Sequence, residues 1–386
     1  MKDDSGADPG SGRAAFDRLG SDHLLVLALT LLIGGSVIAL VGQNTAARAG
    51  PAIVLSLLLA AAGTAPLLFC LREVMRRMPG GAGLPAALLD VCGPRPAAVL
   101  LGLLLLDLLA TLAGAAQSGA HHLYATVSAL GQPPQRWLPM PLAAALGLLP
   151  VGVAAMLRPR RAVRLACVLL SVKLGLGLLL VLLAVPLLGV FASAGLLLGM
   201  APRVQQPHRQ LTRVGGGAAL VAMLMLMGLA ALQSGLVQFA ALDSTRPLSV
   251  AVQGVPHLQW MLPLLPLAGW AGLVALQVVV LLLMMDLLPA LWRRSGGGAD
   301  DRDPGRVTLA FGVAALAMLL VPWLPEREVL PPGFGALPVL AVLCLGLLRP
   351  YPQVPPRRVA MIRLLASLAA LLCLAPLARQ ILPWLG

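Results

Sequence analysis

The chain has 386 residues, of which 59% are hydrophobic and only 11% charged, and its mean hydropathy is +0.90. These values exclude a soluble domain and predict an integral membrane protein. The net charge of +13 does not indicate nucleic-acid binding, because the arginines stand in short loops between apolar runs.

Ten apolar runs follow one another along the chain, and most are long enough to cross about 30 Å of hydrocarbon as a helix. Leu and Ala dominate the runs and strand alternation is absent, so we predict an all-α, polytopic membrane protein. Residues 1–20, rich in Gly, Asp and Ser, are predicted to form a disordered cytoplasmic tail, and residues 21–386 a single transmembrane domain. The runs cover 23–42, 51–71, 97–117, 138–157, 162–190, 215–241, 260–289, 307–324, 334–348 and 361–385.

Basic loops predict the orientation of the chain, because cytoplasmic loops collect Arg and Lys. The loops after the second and fourth runs are both basic. We therefore predict that these loops and the amino terminus are cytoplasmic. The protein is expected in the inner or plasma membrane. The loop over 291–306 is basic too, yet a single crossing over 260–289 puts it outside. Either residues 248–292 hold two crossings or a re-entrant piece, or the second half departs from the rule. The arginines of the first two loops are Arg72, Arg76, Arg77, Arg95, Arg158, Arg160, Arg161 and Arg164.

Two ionisable residues lie deep in apolar runs, where a charge costs about 2.5–3.5 kcal/mol on insertion scales. Lys173 stands almost midway along its run, and Asp107 about halfway along another. Each is either a group that exchanges a proton or half of a permanent ion pair. Glu73 and Asp286 stand at the ends of runs, where their charges are expected to reach water.

Other polar residues give weaker signals. His121 and His122 are predicted to lie in a solvated loop after the third run, and the five cysteines are scattered without the spacing of metal ligands. We therefore predict no disulfide, no metal site and no cofactor. Paired carboxylates and Ser/His arrangements at active-site spacing are also missing, so an enzyme is not expected.

The first run contains Gly34, Gly35 and Ser36 near its middle, in "LLIGGSVIALVG". Small residues there serve either close helix packing or a break in the helix. Breaks occur where freed backbone groups face protein or a cavity, and in transporters such groups bind substrate. The glycines alone favour packing.

The following motifs change that interpretation. Ile33-Gly34-Gly35-Ser36-Val37-Ile38 precedes Ala49-Gly50-Pro51-Ala52, and Cys70-Leu71-Arg72-Glu73 follows with Arg77 and Pro79. Together these stretches resemble the amino acid-polyamine-organocation (APC) superfamily, most closely its cationic amino acid transporter branch. In that branch helix five carries a lysine, and "SVKLG" places Lys173 there. The resemblance extends to "AALDSTRP" at 240–247 and "MMDLLPALW" at 284–292, and spans residues 30 to about 360.

Some positions depart from the family pattern. Ser36 replaces a glycine, Ile38 replaces an aromatic residue, and the pattern of the break in helix six falls on Leu232-Gln233-Ser234-Gly235 without its aromatic gate. Only about 40 residues separate Pro247 from Asp286, so helix seven is predicted to be shortened or missing.

The resemblance implies a leucine-transporter-like inverted-repeat fold of about 10 to 12 transmembrane helices. Repeat one then covers about 23–190, an abbreviated repeat two about 215–348, and a final helix about 361–385. The implied function is transport of an amino acid or small amine across the membrane, coupled to protons through Lys173 and Asp107. The implied substrate site comprises Ile33, Gly34, Gly35, Ser36, Leu232, Gln233, Ser234 and Gly235.

Two alternatives stay open at this point. The first is a non-transporting APC-like sensor or subunit with a degenerate second repeat. The second is an intramembrane enzyme acting on lipid-linked substrates. The partners expected are the substrate, protons and membrane lipid, and no nucleic acid.

Overall fold

A computed structural model describes residues 21–33, 53–77, 83–131, 138–155, 159–184, 207–236, 247–254, 256–292, 304–321, 333–349 and 355–385. All regular elements in these ranges are helical, as the sequence predicts. They are α1 (Ser21–Ile33), α2 (Ile53–Arg77), α3 (Leu84–Cys92), α4 (Pro94–Ala129), α5 (Met140–Ala155) and α6 (Pro159–Ala184). The second half holds α7 (Pro207–Leu236), α8 (Pro247–Gln253), a 3-10 helix (Pro256–Met261), α9 (Leu264–Trp292), α10 (Pro304–Leu320), α11 (Ala336–Gly346) and α12 (Pro356–Leu385).

Proline and glycine set many of the helix boundaries. Six of the described α-helices begin at a proline, whose missing N–H is not needed in the first turn. Gly93 separates α3 from α4 with a φ of 81°, a left-handed conformation that suits glycine, and its N–H donates to the carbonyl of Leu89 at 3.0 Å. The chain therefore turns between α3 and α4 within one residue.

Five helices are long and apolar enough to cross a membrane: α2, α4, α7, α9 and α12. The central one is α9, because 89% of its most apolar window is buried inside the protein, whereas only 17% is buried for α2 and 28% for α12. Helices α2 and α12 therefore lie at the periphery, with much of their surface facing outwards. The chain is a multi-pass membrane protein built around α9.

The segment before α9 is irregular. Residues 247–261 form the seven-residue helix α8 and a six-residue 3-10 helix, and neither is long enough to cross hydrocarbon at about 1.5 Å per residue. Of the two crossings considered for 248–292, the described residues thus contain one spanning helix, α9.

The direction of α9 follows from its contacts with α4. Gly269 lies against the imidazole of His122, and Trp270 lies against Gly119. These two helices share the most extensive contact among the described elements. If the two helices ran parallel with these residues in contact, α9 would overlap only about the last three turns of α4. That overlap is too short for so extensive a contact, so α9 runs antiparallel to α4.

Helix α4 begins at one end of the bundle, which we call the basic end. Gly346, the last residue of α11, lies against Val91 of α3, and the guanidinium of Arg349 donates to the carbonyl of Asp90 at 3.2 Å. Helix α12 begins seven residues after Arg349 and so starts near this end, and α2 joins it there because Glu73 lies 3.6 Å from Arg358. The last residue of α9 shares it. The described residues therefore place the end of α9 at the basic end after one spanning helix, and the membrane side of this end stays a prediction.

Candidate functional site

Lys173 joins the end of α1 to α6. It is buried, with 3% of its surface exposed, and its Nζ donates to the carbonyl oxygen of Ile33 at 2.5 Å. Ile33 is the last residue of α1, and an ammonium there complements the negative end of the helix dipole. The structure thus brings together two residues that the sequence separates by 140 positions.

The stem of Lys173 lies on α9 at Gly272. A methyl group on Gly272 would overlap the Cδ of Lys173 and come within 2.8 Å of its Nζ. The lysine can therefore reach α1 only because this turn of α9 has no side chain. Helices α1, α6 and α9 meet around this one lysine side chain.

His122 of α4 packs on the same helix, α9, at Gly269, three residues before Gly272. Its ring atoms would come within 2.7 Å of a methyl group on Gly269, and the ring is half-buried. The sequence placed His121 and His122 in a loop, and this expectation was wrong: α4 continues to Ala129. The helix extends beyond the apolar run, because backbone hydrogen bonds within a helix do not require apolar side chains.

Asp107 contacts a different part of the molecule. Its carboxylate accepts hydrogen bonds from the backbone N–H groups of Gly335 and Ala336, at 3.2 and 3.0 Å. These groups begin α11, whose own cap residue, Gly335, offers no side chain. The carboxylate therefore caps α11 and also compensates its helix dipole. A role for Asp107 in proton coupling stays a prediction.

Glu73 is buried, contrary to the expectation that its charge reaches water. It lies 3.9 Å from both Arg76 and Arg77 and 3.6 Å from Arg358 of α12. The second helix, α2, ends beside the start of α12, and the arginines of both helices cover the carboxylate. Asp286 is half-buried in α9, six residues before its end.

The predicted substrate residues fall into two groups. Gly34, Gly35 and Ser36 lie outside the described residues, directly after Ile33. Leu232–Gly235 form the end of α7, which continues to Leu236, so the backbone is still helical where the sequence suggested a break. Carbonyl groups in the last turn of a helix lack intrahelical partners, and α7 packs against α1.

Three glycines and one glutamine of the described region were missed by the sequence reasoning. In the sequence, Gly269 and Gly272 form a pair of small residues three positions apart in "GWAG", and Gly335 stands in a glycine-containing turn. These patterns do not indicate which residues the glycines contact. Gln277 of α9 is 2% exposed, and its Oε1 has no hydrogen-bond partner among the described residues. Within the described ranges, no cluster of three or more His, Cys, Asp or Glu could hold a metal ion.

The arrangement defines a class of protein: a multi-pass membrane protein with a buried lysine at the end of a short first helix. No known family model matches the sequence, and no characterised protein matches it by sequence. Solved structures do match the fold. Two variants of the manganese transporter of Eremococcus coleocola each give a TM-score of 0.64 at 13% identity, covering 99% of this chain and 90% of theirs. A third variant gives a TM-score of 0.60 at 14% identity over 100% of this chain and 90% of that one. The chain therefore has the fold of this transporter.

Proposed function

We propose that the protein is a secondary active transporter of an amino acid or small amine, driven by protons. The observation that carries the proposal is the bond from Lys173 to Ile33 at the end of α1. It joins a buried ionisable group to the backbone that leads directly into Gly34-Gly35-Ser36.

In this mechanism Lys173 gains and loses a proton as the protein alternates between its two open states. The protonated amine holds the end of α1 against α6 and α9. Loss of the proton removes the charge that makes this hydrogen bond strong, so α1 can move. Burial supports such chemistry, because desolvation disfavours the charged form of a lysine.

The substrate would bind between α1 and α7. Its carboxylate would meet the backbone N–H groups of Gly34, Gly35 and Ser36, and its amine would meet carbonyls near Ile33 and in the last turn of α7, over 232–235. Such groups are free at helix ends, and half-helix ends bind zwitterions in transporters. Packing of α7 against α1 supports this location. Membership of the APC superfamily, with the inverted-repeat fold, belongs to the same proposal.

Transport of a divalent metal is the second candidate, because the structural neighbours are manganese transporters. Two observations weigh against it. The described residues offer no cluster of metal ligands. A buried lysine at the end of α1 would also repel a dication strongly, since charges interact over several ångströms in a medium of low dielectric constant.

The test is uptake by purified protein reconstituted into vesicles with an imposed pH gradient. Labelled amino acids, small amines and Mn²⁺ are supplied in separate arms. We expect gradient-dependent uptake of at least one organic solute and its loss in Lys173→Ala and Gly35→Leu. Ser171→Ala is the matched control, because Ser171 is exposed on the same helix, and it should leave uptake unchanged.

Each other outcome rejects part of the proposal. Unchanged proton-driven uptake in Lys173→Ala would remove the coupling role. Uptake of Mn²⁺ alone would establish the metal transporter. Binding of an amino acid, seen as thermal stabilisation, without any flux would identify the non-transporting sensor or subunit.

A further inference from the structure

Excess positive charge accumulates where α2 meets α12 at the basic end. Three guanidinium groups, from Arg76, Arg77 and Arg358, surround the single carboxylate of Glu73 at 3.6–3.9 Å. Arg357, the residue before Arg358, adds a fourth guanidinium, which is exposed. Arg76, Arg357 and Arg358 alone outnumber this one carboxylate, and each guanidinium has five N–H donors that favour phosphate oxygens.

The cluster faces the lipid boundary. Helices α2 and α12 have the smallest buried fractions among the candidate spans, 17% and 28%. They pack against each other antiparallel, since Glu73 approaches Arg358 while Gly63 approaches Leu372. The side chains of Arg76 and Arg358 are 43% and 42% exposed, so an outside group can reach them.

An apolar stripe leads away from this charge along α12. Met361, Leu364, Leu368 and Leu371 follow Arg357 at helical spacing and are exposed, with Leu364 69% and Leu371 64% accessible. Residues at these intervals share one face of a helix. The face therefore presents cations at the membrane surface and a continuous apolar path into the membrane.

We propose that Arg76, Arg357 and Arg358 bind the headgroup phosphate of an anionic phospholipid, whose acyl chain lies along the Met361–Leu371 stripe. The net positive charge selects an anionic headgroup over a zwitterionic one, because the choline or ethanolamine cation would be repelled. Basic pockets between transmembrane helices are suited to such headgroups. Glu73 limits the affinity by neutralising part of the charge.

Thermal unfolding in detergent tests this proposal with three probes: dioleoyl phosphatidylglycerol, phosphatidylcholine with the same chains, and inorganic phosphate. We expect stabilisation by phosphatidylglycerol alone. Arg357→Gln should weaken the apparent affinity for it about fivefold, the effect expected of one basic residue near a membrane surface. Glu73→Gln should strengthen the affinity, which is the opposite sign.

Arg161→Gln is the matched control, because it removes an exposed arginine from the first turn of α6, outside the cluster. Arg357 is not among the residues paired with Glu73, so its variant should unfold at the wild-type temperature without lipid. Equal loss of affinity in Arg161→Gln would overturn the proposal, as would equal stabilisation by inorganic phosphate. A dimer that Leu364→Ser dissociates would show that a second copy of the chain covers the stripe, and would overturn it too.

Discussion

At Gly272 the presence or absence of one methyl group decides where a charge can lie. Lys173 crosses the bare backbone of α9 at this residue before it reaches the carbonyl of Ile33. Several other helical glycines have open space there; Gly102 on α4, for instance, has nothing beyond its own turn of helix within 4 Å of its missing methyl position. A glycine that makes room for another residue is thus recognised by the atoms that lie where its methyl group would be.

Gly272→Ala should displace Lys173 with little effect on global stability, because the overlapping atoms belong to a flexible side chain. A hydrogen bond to a charged group contributes about 1.5–3 kcal/mol, so its loss should free the end of α1. We expect amide exchange in residues 29–33 to accelerate roughly tenfold or more by hydrogen–deuterium exchange mass spectrometry.

Gly102→Ala serves as the control for this substitution. It should leave exchange in α1 unchanged and stabilise α4 slightly, since alanine favours helix by up to about 1 kcal/mol over glycine. Unchanged exchange of residues 29–33 in Gly272→Ala would show that Lys173 does not anchor α1.

Among the helices, α11 depends on a residue 228 positions earlier for its cap. It begins beside Asp107, which stands 13 residues into α4 and thus about 20 Å from the basic end. Gly335 permits this approach, because a methyl group there would overlap the carbonyl oxygen of Leu103. Water is scarce at such depth, so the carboxylate is needed to satisfy the first N–H groups.

Asp107→Ala should destabilise the protein by about 1–3 kcal/mol for each of the two orphaned N–H groups, measured as thermal unfolding in detergent. Asp107→Asn keeps an acceptor oxygen and should lose much less stability. Proton-driven uptake by the Asn variant then separates two roles: wild-type uptake indicates a cap alone, and stable protein without uptake indicates proton coupling. Equal stability of the Ala variant and the wild type would contradict the capping role.

The sequence predicted the helical elements well and their partners poorly, for physical reasons. Apolar runs report the solvent around a helix, so each of the ten runs overlaps a described helix, although only five of these helices are long and apolar enough to cross a membrane. Burial cost likewise singled out Lys173 and Asp107. The carbonyl that Lys173 binds and the helix that Asp107 caps depend on the approach of distant elements, which a single sequence does not record. Glu73 was misjudged for this reason, because the arginine that completes its cover comes from α12.

At the scale of the whole molecule, arginine side chains lie together at the basic end, and the direction of α9 determines which helix ends lie there too. The antiparallel contact between α4 and α9 brings the end of α9 to the side where α2 ends and α12 begins. The ends of α2 and α9 thus lie at the same end of the bundle, as the positive-inside rule predicts for two helices that are each followed by a basic segment in the sequence. The short elements at 247–261 allow this without a further long helix in the described region.

Labelling from the two sides of the membrane tests this arrangement. Single cysteines are placed at four exposed positions of a cysteine-free background, Arg95, Leu130, Gln259 and Arg357, and treated with a membrane-impermeant maleimide in right-side-out and inside-out vesicles. Because α9 opposes α4, Gln259→Cys should react from the same side as Leu130→Cys, and Arg95→Cys and Arg357→Cys from the other. The last two should react only in inside-out vesicles if the basic end is cytoplasmic. Reaction of Gln259→Cys together with Arg95→Cys would mean that α9 runs parallel to α4, and the meeting of α1, α6 and α9 around Lys173 would have to be abandoned.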